Sequence, residues 1–120
     1  MTVQRQFDIY RTMSDPSGLL TKGQFDRIAK ALADPRRFAL LEAIATTEDY
    51  PCSRLCRDFP VSKATISHHI KELVRAGLIE ADRHGQYMDY RVRREILAAY
   101  GAELIARTAP GRHRPTLQPS

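Results

Sequence analysis

Val61-Ser-Lys-Ala-Thr-Ile-Ser-His-His-Ile-Lys-Glu-Leu-Val-Arg-Ala-Gly77 carries the pattern of a capped amphipathic helix. Ser62 is an N-cap residue type, whose hydroxyl can accept an orphan backbone N–H of the first turn. Ile66, Ile70, Leu73 and Val74 recur at helical spacing and make one apolar stripe. Gly77 supplies the C-terminal stop. The other face carries Lys63, Thr65, Ser67, His68, Lys71 and Arg75, with no carboxylate before Glu72. Such a helix, apolar behind and donor-rich in front, suits plain solvent or a polyanion; the flanking sequence distinguishes the two.

Upstream, Pro51-Cys-Ser-Arg-Leu-Cys-Arg-Asp58 is long enough for about two helical turns, anchored by Leu55. Phe59-Pro60-Val61 makes a tight apolar turn, because Pro60 disfavours a helical conformation at Phe59. A short helix, a turn and a second, donor-rich helix outline a helix-turn-helix. Downstream the period changes from helical to alternating. Leu78-Ile-Glu-Ala-Asp-Arg83 and Tyr87-Met-Asp-Tyr-Arg-Val92 are strand-length runs around His84-Gly85-Gln86. Met88, Tyr90 and Val92 share one face; Tyr87, Asp89 and Arg91 share the other. Gly85 gives the turn its freedom at positive φ. The hairpin, tipped by Arg83-His84-Gly85-Gln86, reads as a wing.

The remaining segments complete a mainly α domain. Phe25, Ile28, Ala29 and Leu32 predict a helix within residues 21–33. Asp34-Pro35 then ends one helix and starts another, as N-cap and first helical residue. Phe38, Leu41 and Ile44, with Leu40 beside them, predict its buried face. Arg36 and Arg37 fall in its first turn, the unfavourable end of the helix dipole for a cation. Residues 45–50 read as a polar loop. A last helix spans about 93–107, with Ile96, Leu97, Tyr100, Leu104 and Ile105 on one stripe among small alanines. The wing separates that stripe from the core around Leu41 and Ile66, so it is expected to seek a second chain. Residues 1–20 are expected to form a partly ordered arm, residues 21–107 the domain, and residues 108–120 a disordered basic tail. The expected architecture is a winged helix-turn-helix of five or six helices plus a two-stranded wing.

Composition narrows the function classes. A chain of 120 residues accommodates one core. The net charge of +5 and pI of about 9.6 are compatible with nucleic acid or an anionic surface. No apolar run approaches the roughly 18 residues of a membrane span, and the N-terminus lacks a signal-peptide apolar region. Two cysteines without a secretory signal point to free thiols in a reducing cytoplasm.

From about Phe25 to Ile105 the chain resembles the ArsR/SmtB family of winged-helix transcriptional repressors. Lys30-Ala-Leu-Ala-Asp-Pro-Arg-Arg-Phe-Ala-Leu-Leu41 is similar to the family's opening segment. Val61-Ser-Lys-Ala-Thr-Ile-Ser-His-His-Ile70, with Leu73 and Ala76-Gly-Leu-Ile79, is similar to its recognition helix. Gly85-Gln-Tyr-Met-Asp-Tyr-Arg-Val92 is similar to the returning strand of its wing. The resemblance implies a homodimer built from the first and last helices, bound to a pseudo-palindromic double-stranded operator and released by an effector. By position in the motif, Lys63, Ala64, Thr65 and His68 would face base edges. Ser67, Lys71, Arg83, His84, Gln86 and Arg91 would meet phosphate or the minor groove. The chemistry agrees: a long cation suits guanine O6 and N7, and the Ala64 methyl can meet a thymine methyl. Short hydroxyls and cations fix register on the backbone. His69 is either a backbone contact or part of the packing.

Metal-sensing members carry ligand clusters near the short helix or on the last helix, and this chain departs from both. Its last helix offers Glu95 and Glu103 but no histidine. Its short helix has Cys52 and Cys56, spaced to share a helical face. Two thiolates are half of a structural zinc site, so no closed metal site within one chain is expected. Either the cysteines are small packing residues, or they form a thiol switch or soft metal or metalloid sensor. In the second reading, Arg54 and Arg57 and a helix N-terminus would lower the thiol pKa. An organic ligand is the remaining effector class. An enzyme using a Cys56–His68 pair has no phosphate loop or oxyanion-bearing turn to support it. A winged helix that binds protein instead of DNA would want acidic or apolar residues where Lys63, Thr65, His68 and Lys71 stand.

Overall fold

Asp34 and Ser62 start the two longest buried-face helices of the middle of the chain. The Asp34 carboxylate accepts the backbone N–H groups of Arg36 (2.9 Å) and Arg37 (3.4 Å), with Pro35 in the first turn. Ser62 Oγ accepts the N–H of Thr65 at 3.1 Å. This computed structural model describes residues 20–111. Its elements run α1 (Gln24–Leu32), α2 (Pro35–Ile44), β1 (Tyr50–Pro51), α3 (Cys52–Asp58), α4 (Lys63–Arg75), β2 (Ile79–His84), β3 (Tyr87–Val92) and α5 (Arg94–Arg107). The expected tail beyond Gly111, and all of the expected arm except Leu20, lie outside the described residues.

The α3–α4 turn forms as Pro60 requires. Phe59 is extended at φ −107°, ψ 126°, and its N–H closes the last turn of α3 onto Leu55 C=O at 3.2 Å. At the other end of α4, Leu78 N–H reaches Leu73 C=O (3.0 Å) and Gly77 N–H reaches Val74 C=O (2.9 Å). That pair of bonds needs a left-handed residue, and Gly77 has φ +82°. The chain therefore turns from α4 directly into β2. Strands β2 and β3 pair antiparallel from Ile79↔Val92 to His84↔Tyr87, leaving Gly85-Gln86 as a two-residue turn with φ +64° at Gly85.

The sheet has one strand more than periodicity predicts. Residues 45–50 are not wholly a polar loop: Tyr50 and Pro51 pair with Tyr90 and Asp89 of β3, giving the order β1-β3-β2. Tyr50 is buried beneath this edge. Two residues are too few for alternation to register.

Ile28, Leu40, Leu41, Ile44, Leu55, Ile66, Ile70, Leu73, Leu78 and Ile79 belong to one buried cluster, with Val92 and Ile96. In α1, α2 and α4 the stripe residues Ala29, Phe38 and Val74 stand exposed instead. Phe38 is 41% exposed and Val74 40% exposed. At about 100° per residue, each lies roughly a quarter-turn or more from the line its own helix buries, so the neighbouring Leu40 and Ile70 take those places. The last helix also differs from expectation. Its first half packs back on this chain, with Ile96 and Ala99 buried and the Tyr100 ring 4.9 Å from that of Phe25. Its second half leaves Leu104 and Ile105 exposed.

Candidate nucleic-acid interface

Helix α4 buries Ile66, His69, Ile70 and Leu73 and leaves Lys63, Ala64, Ser67, His68 and Lys71 exposed, with Thr65 half-buried. The Thr65 hydroxyl accepts from Ser62 Oγ at 3.0 Å, so the cap also fixes the first hydroxyl of the donor row. Glu72, the first carboxylate of the helix, is drawn aside by Arg75 at 2.9 Å. The exposed face before it thus presents ammonium, imidazole and hydroxyl groups without an opposing charge on the same helix.

His69 does not belong to that row. Of its two alternatives, the structure places it in the packing, at 7% exposure. Its Nδ1 accepts from Arg37 Nε at 3.4 Å. Arg37 also donates to the Ala31 carbonyl at 3.4 Å and lies 3.8 Å from Asp34 Oδ2. A cation at the unfavourable end of α2 is therefore used to tie α1, the α2 cap and α4 together. Burial pushes the His69 pKa down, Asp34 opposes that shift, and Arg37 reinforces it. For Asp34, partial desolvation is outweighed by the Arg36 and Arg37 N–H bonds and nearby positive charge, so its pKa falls.

Arg83, His84 and Gln86 are all exposed at the far end of the wing. They do not form a purely basic tip, because His84 Nε2 lies 3.2 Å from Asp82 and 3.6 Å from Asp89. Arg91 is more firmly engaged: its guanidinium donates to Asp49 Oδ1 at 2.7 and 3.1 Å and to Glu80 at 3.5 Å. It pins the loop before β1 to the wing, and meeting a phosphate requires release from Asp49.

Cys52 and Cys56 face each other and Tyr90. Burial and then the neighbouring Cys52 raise the Cys56 pKa, against a smaller lowering by Lys63. Tyr90 is raised above its ordinary 10.0 by burial first and by its hydrogen bond to Cys52. The arginines expected to activate the thiols are committed elsewhere. Arg54 and Arg57 both pair with Asp58, at 3.6 and 3.3 Å, and Arg54 also covers the Tyr50 ring. Two thiols beside a phenol fall short of a closed tetrahedral set, and among the described residues no group of three or more His, Cys, Asp or Glu could hold a metal ion.

Sequence reasoning gives no sign of Gln24. It is buried, and its Nε2 donates to the Ala76 carbonyl at 2.9 Å, at the C-terminal end of α4. A polar residue at the edge of an apolar stripe carries no signal of a partner 52 positions away.

Residues 32–81 match a helix-turn-helix domain family. With the hairpin behind α4, the chain is a winged helix-turn-helix protein of the DNA-binding class. Over 74 residues it is 32% identical to the arsenical resistance operon repressor of Staphylococcus xylosus, spanning 62% of this chain and 70% of that protein. An ArsR-like transcriptional regulator from Rhodococcus sp. RHA1 has a similar structure, with a TM-score of 0.64 and 27% identity over 72% of this chain and 79% of that one. The fold is shared with a homodimeric winged helix-turn-helix domain from Mycobacterium bovis, at a TM-score of 0.58 and 24% identity over 78% of this chain and 88% of that one. The protein belongs to the ArsR family of winged-helix transcriptional regulators. That family consists of regulators and not enzymes, which disposes of the Cys56–His68 alternative. Among the described residues, no helix is long and apolar enough to cross a membrane.

Proposed function

We infer that this protein is a cytoplasmic homodimeric repressor that binds a pseudo-palindromic operator and leaves it when an effector binds. The observation that carries the reading is the exposed row on α4, free of carboxylates until the paired Glu72. In this reading Lys63, Ala64, Thr65 and His68 meet base edges, while Ser67, Lys71, Arg83, His84 and Gln86 meet the backbone. Arg91 joins them only by exchanging Asp49 for phosphate. The working unit is residues 21–107. Two recognition helices in a symmetric dimer read half-sites about one helical turn, roughly 34–36 Å, apart.

Fluorescence anisotropy with the DNA upstream of the protein's own gene tests this. Log affinity is expected to fall with log salt at about −0.9 per neutralised phosphate. A flat salt dependence, with no preference over unrelated DNA, supports the protein-binding alternative instead.

Release through the thiols is the finer reading, supported by the contact of Cys52 with Cys56 and Tyr90. Diamide would take two electrons and two protons from the pair to form a disulfide, and a soft metalloid such as arsenite would bridge the two sulfurs. Either would strain the seven-residue α3 that leads into α4. The raised pKa of Cys56 slows both. If a Cys52→Ser, Cys56→Ser variant releases DNA with diamide or arsenite as the parent does, the thiols are packing residues.

A further inference from the structure

Behind the start of α4 is a cavity of about 250 Å³, partly open to solvent. Ala39 and Leu40 of α2 form one wall, and Phe59, Pro60 and Val61 of the helix-turn-helix turn form another. Its surface is almost wholly apolar, yet its three polar lining residues share one property. Each carries a side-chain N–H or O–H able to donate. Arg36 has no side-chain partner among the described residues; only its backbone N–H is used, by Asp34. His69 accepts from Arg37 at Nδ1, which assigns the proton of the neutral ring to Nε2. Thr65 Oγ1 accepts from Ser62, leaving its own proton to donate. No carboxylate lines the cavity.

We propose that this cavity is an effector site for a compact monocarboxylate whose apolar body is about the size of one six-membered ring. Size sets the scale: an apolar cavity of about 150 Å³ takes a benzene molecule, so this one has room for a ring and a carboxylate. The apolar walls bury the ring, and Arg36, His69 Nε2–H and Thr65 supply charge-assisted hydrogen bonds to the carboxylate. An ammonium ligand finds no acceptor carboxylate there. Occupancy would act on DNA binding through position. The walls are the turn that sets α4 and the first turn of α4 itself, and a ligand drawing Thr65 inward withdraws it from the DNA-facing surface. This step rests on the operator-binding reading; ligand binding itself does not.

The test uses benzoate as probe, on the full chain without DNA and in a Cys52→Ser, Cys56→Ser background, so that thiol chemistry plays no part. In ¹H–¹⁵N spectra, benzoate is expected to shift Ala39, Leu40, Val61 and Thr65 in a saturable manner. Benzyl alcohol, of similar shape and no charge, should bind at least tenfold more weakly. Arg36→Gln should abolish that preference while leaving benzyl alcohol binding unchanged, and Ala39→Leu should exclude both by filling the space. Inorganic phosphate should not compete, since it has no apolar body. Shifts that are absent, that occur elsewhere, or that persist in Ala39→Leu overturn the site. A folded Arg36→Gln variant that still prefers benzoate overturns the carboxylate assignment. Saturating benzoate should then lower operator affinity at least tenfold. Binding without that loss overturns the coupling, whereas no operator binding in any condition defeats the repressor reading and leaves the ligand result standing.

Discussion

Gln24 Nε2 donates to the carbonyl of Ala76 at 2.9 Å, so the first turn of α1 holds the C-cap of α4. The other end of the same amide accepts the N–H of Thr21 at 2.9 Å, which keeps the side chain from turning away. Next to Ala76, Gly77 has φ +82°, and a Cβ built there would overlap Gln24 Nε2. The glycine therefore serves two purposes at once: the left-handed turn that ends α4, and the close approach that lets α1 reach it.

Gln24→Ala leaves the buried Ala76 carbonyl without this partner and should cost about 1–3 kcal/mol. Gly77→Ala should cost about 1–2 kcal/mol from the left-handed backbone alone, and more from displacing Gln24. The double variant has no Gln24 to displace, so its loss should fall short of the sum of the single losses by more than 0.5 kcal/mol. Urea denaturation of the four proteins measures this. Additivity within about 0.3–0.5 kcal/mol would show that the two residues do not meet as described.

The His69 environment predicts a pH dependence with a definite sign. Its folded pKa lies below the ordinary 6.5, chiefly through burial, so the unfolded chain binds the proton more readily. The stability contribution is complete above pH 6.5 and is lost as pH falls from there through the lowered folded value. Asp34 acts in a separate window: its folded pKa lies below the ordinary 3.8, and its contribution disappears only under stronger acid. His69→Gln keeps a neutral acceptor for Arg37 but does not titrate. Thermal melts between pH 5 and 7.5, a span chosen around the His69 window, should show a steeper loss for the parent than for the variant. Parallel curves would remove His69 as the cause.

Cys56 should behave as a packed thiol. Burial first, and Cys52 second, raise its pKa above the ordinary 9.0. Alkylation by iodoacetamide requires thiolate, so the Cys56 rate in a Cys52→Ser variant should be low at neutral pH and climb past pH 9. In the parent protein the climb should begin later still, because the Cys52 contribution is intact. A fast, pH-independent rate at pH 7 would mean an activated thiolate, and would restore the sensor reading that Arg54 and Arg57 suggest in sequence.

How far the chain could be read without its structure varied with the distance over which each cause acts. Capping by Asp34 and Ser62, the Gly77 stop, the Phe59-Pro60 turn and the Gly85 hairpin are decided within four residues, and all stand as local chemistry predicts. The α4 donor row was legible for the same reason, because helical spacing sorts residues onto faces. Phe38 and Val74 show where that sorting blurs: an apolar residue a quarter-turn off the buried line reads as core until the neighbouring helix is in place. Gln24, Arg37 and the two-residue β1 depend on partners far along the chain, and no local pattern marks them. Arg91 reads as a DNA contact by motif position, while Asp49, which holds it, is 42 positions away.

The end of α5 tests the dimer. Leu104 is 43% and Ile105 70% exposed, and both follow a half-helix that is packed on its own core. A Leu104→Glu, Ile105→Glu variant should therefore keep its melting temperature at low protein concentration, where monomer dominates. By sedimentation equilibrium the parent is expected to dimerise and the variant to remain monomeric at the same concentration. Operator affinity should fall as well, since one half-site is bound at a time. A variant that still dimerises would move the interface elsewhere, with exposed Phe38 of α2 the next residue to substitute.

Lys63 and Lys71 should separate base reading from backbone contact. Both are exposed on α4, but Lys63 opens the helix next to the Ser62 cap and Lys71 lies two turns further along. If Lys63 reads a guanine edge, Lys63→Ala should cost about 1–3 kcal/mol on the cognate operator and much less on DNA changed at that base pair. Lys71→Ala should weaken every sequence alike and reduce the salt slope by about 0.9. Arg91→Gln, whose guanidinium is already held by Asp49, should change the slope less than Lys71→Ala does. Anisotropy titrations of the three variants on matched and mismatched duplexes at several salt concentrations give all these quantities. Equal losses for Lys63→Ala on both duplexes would place Lys63 on the backbone, and an Arg91→Gln slope change as large as that of Lys71→Ala would show that the wing exchanges Asp49 for phosphate on binding.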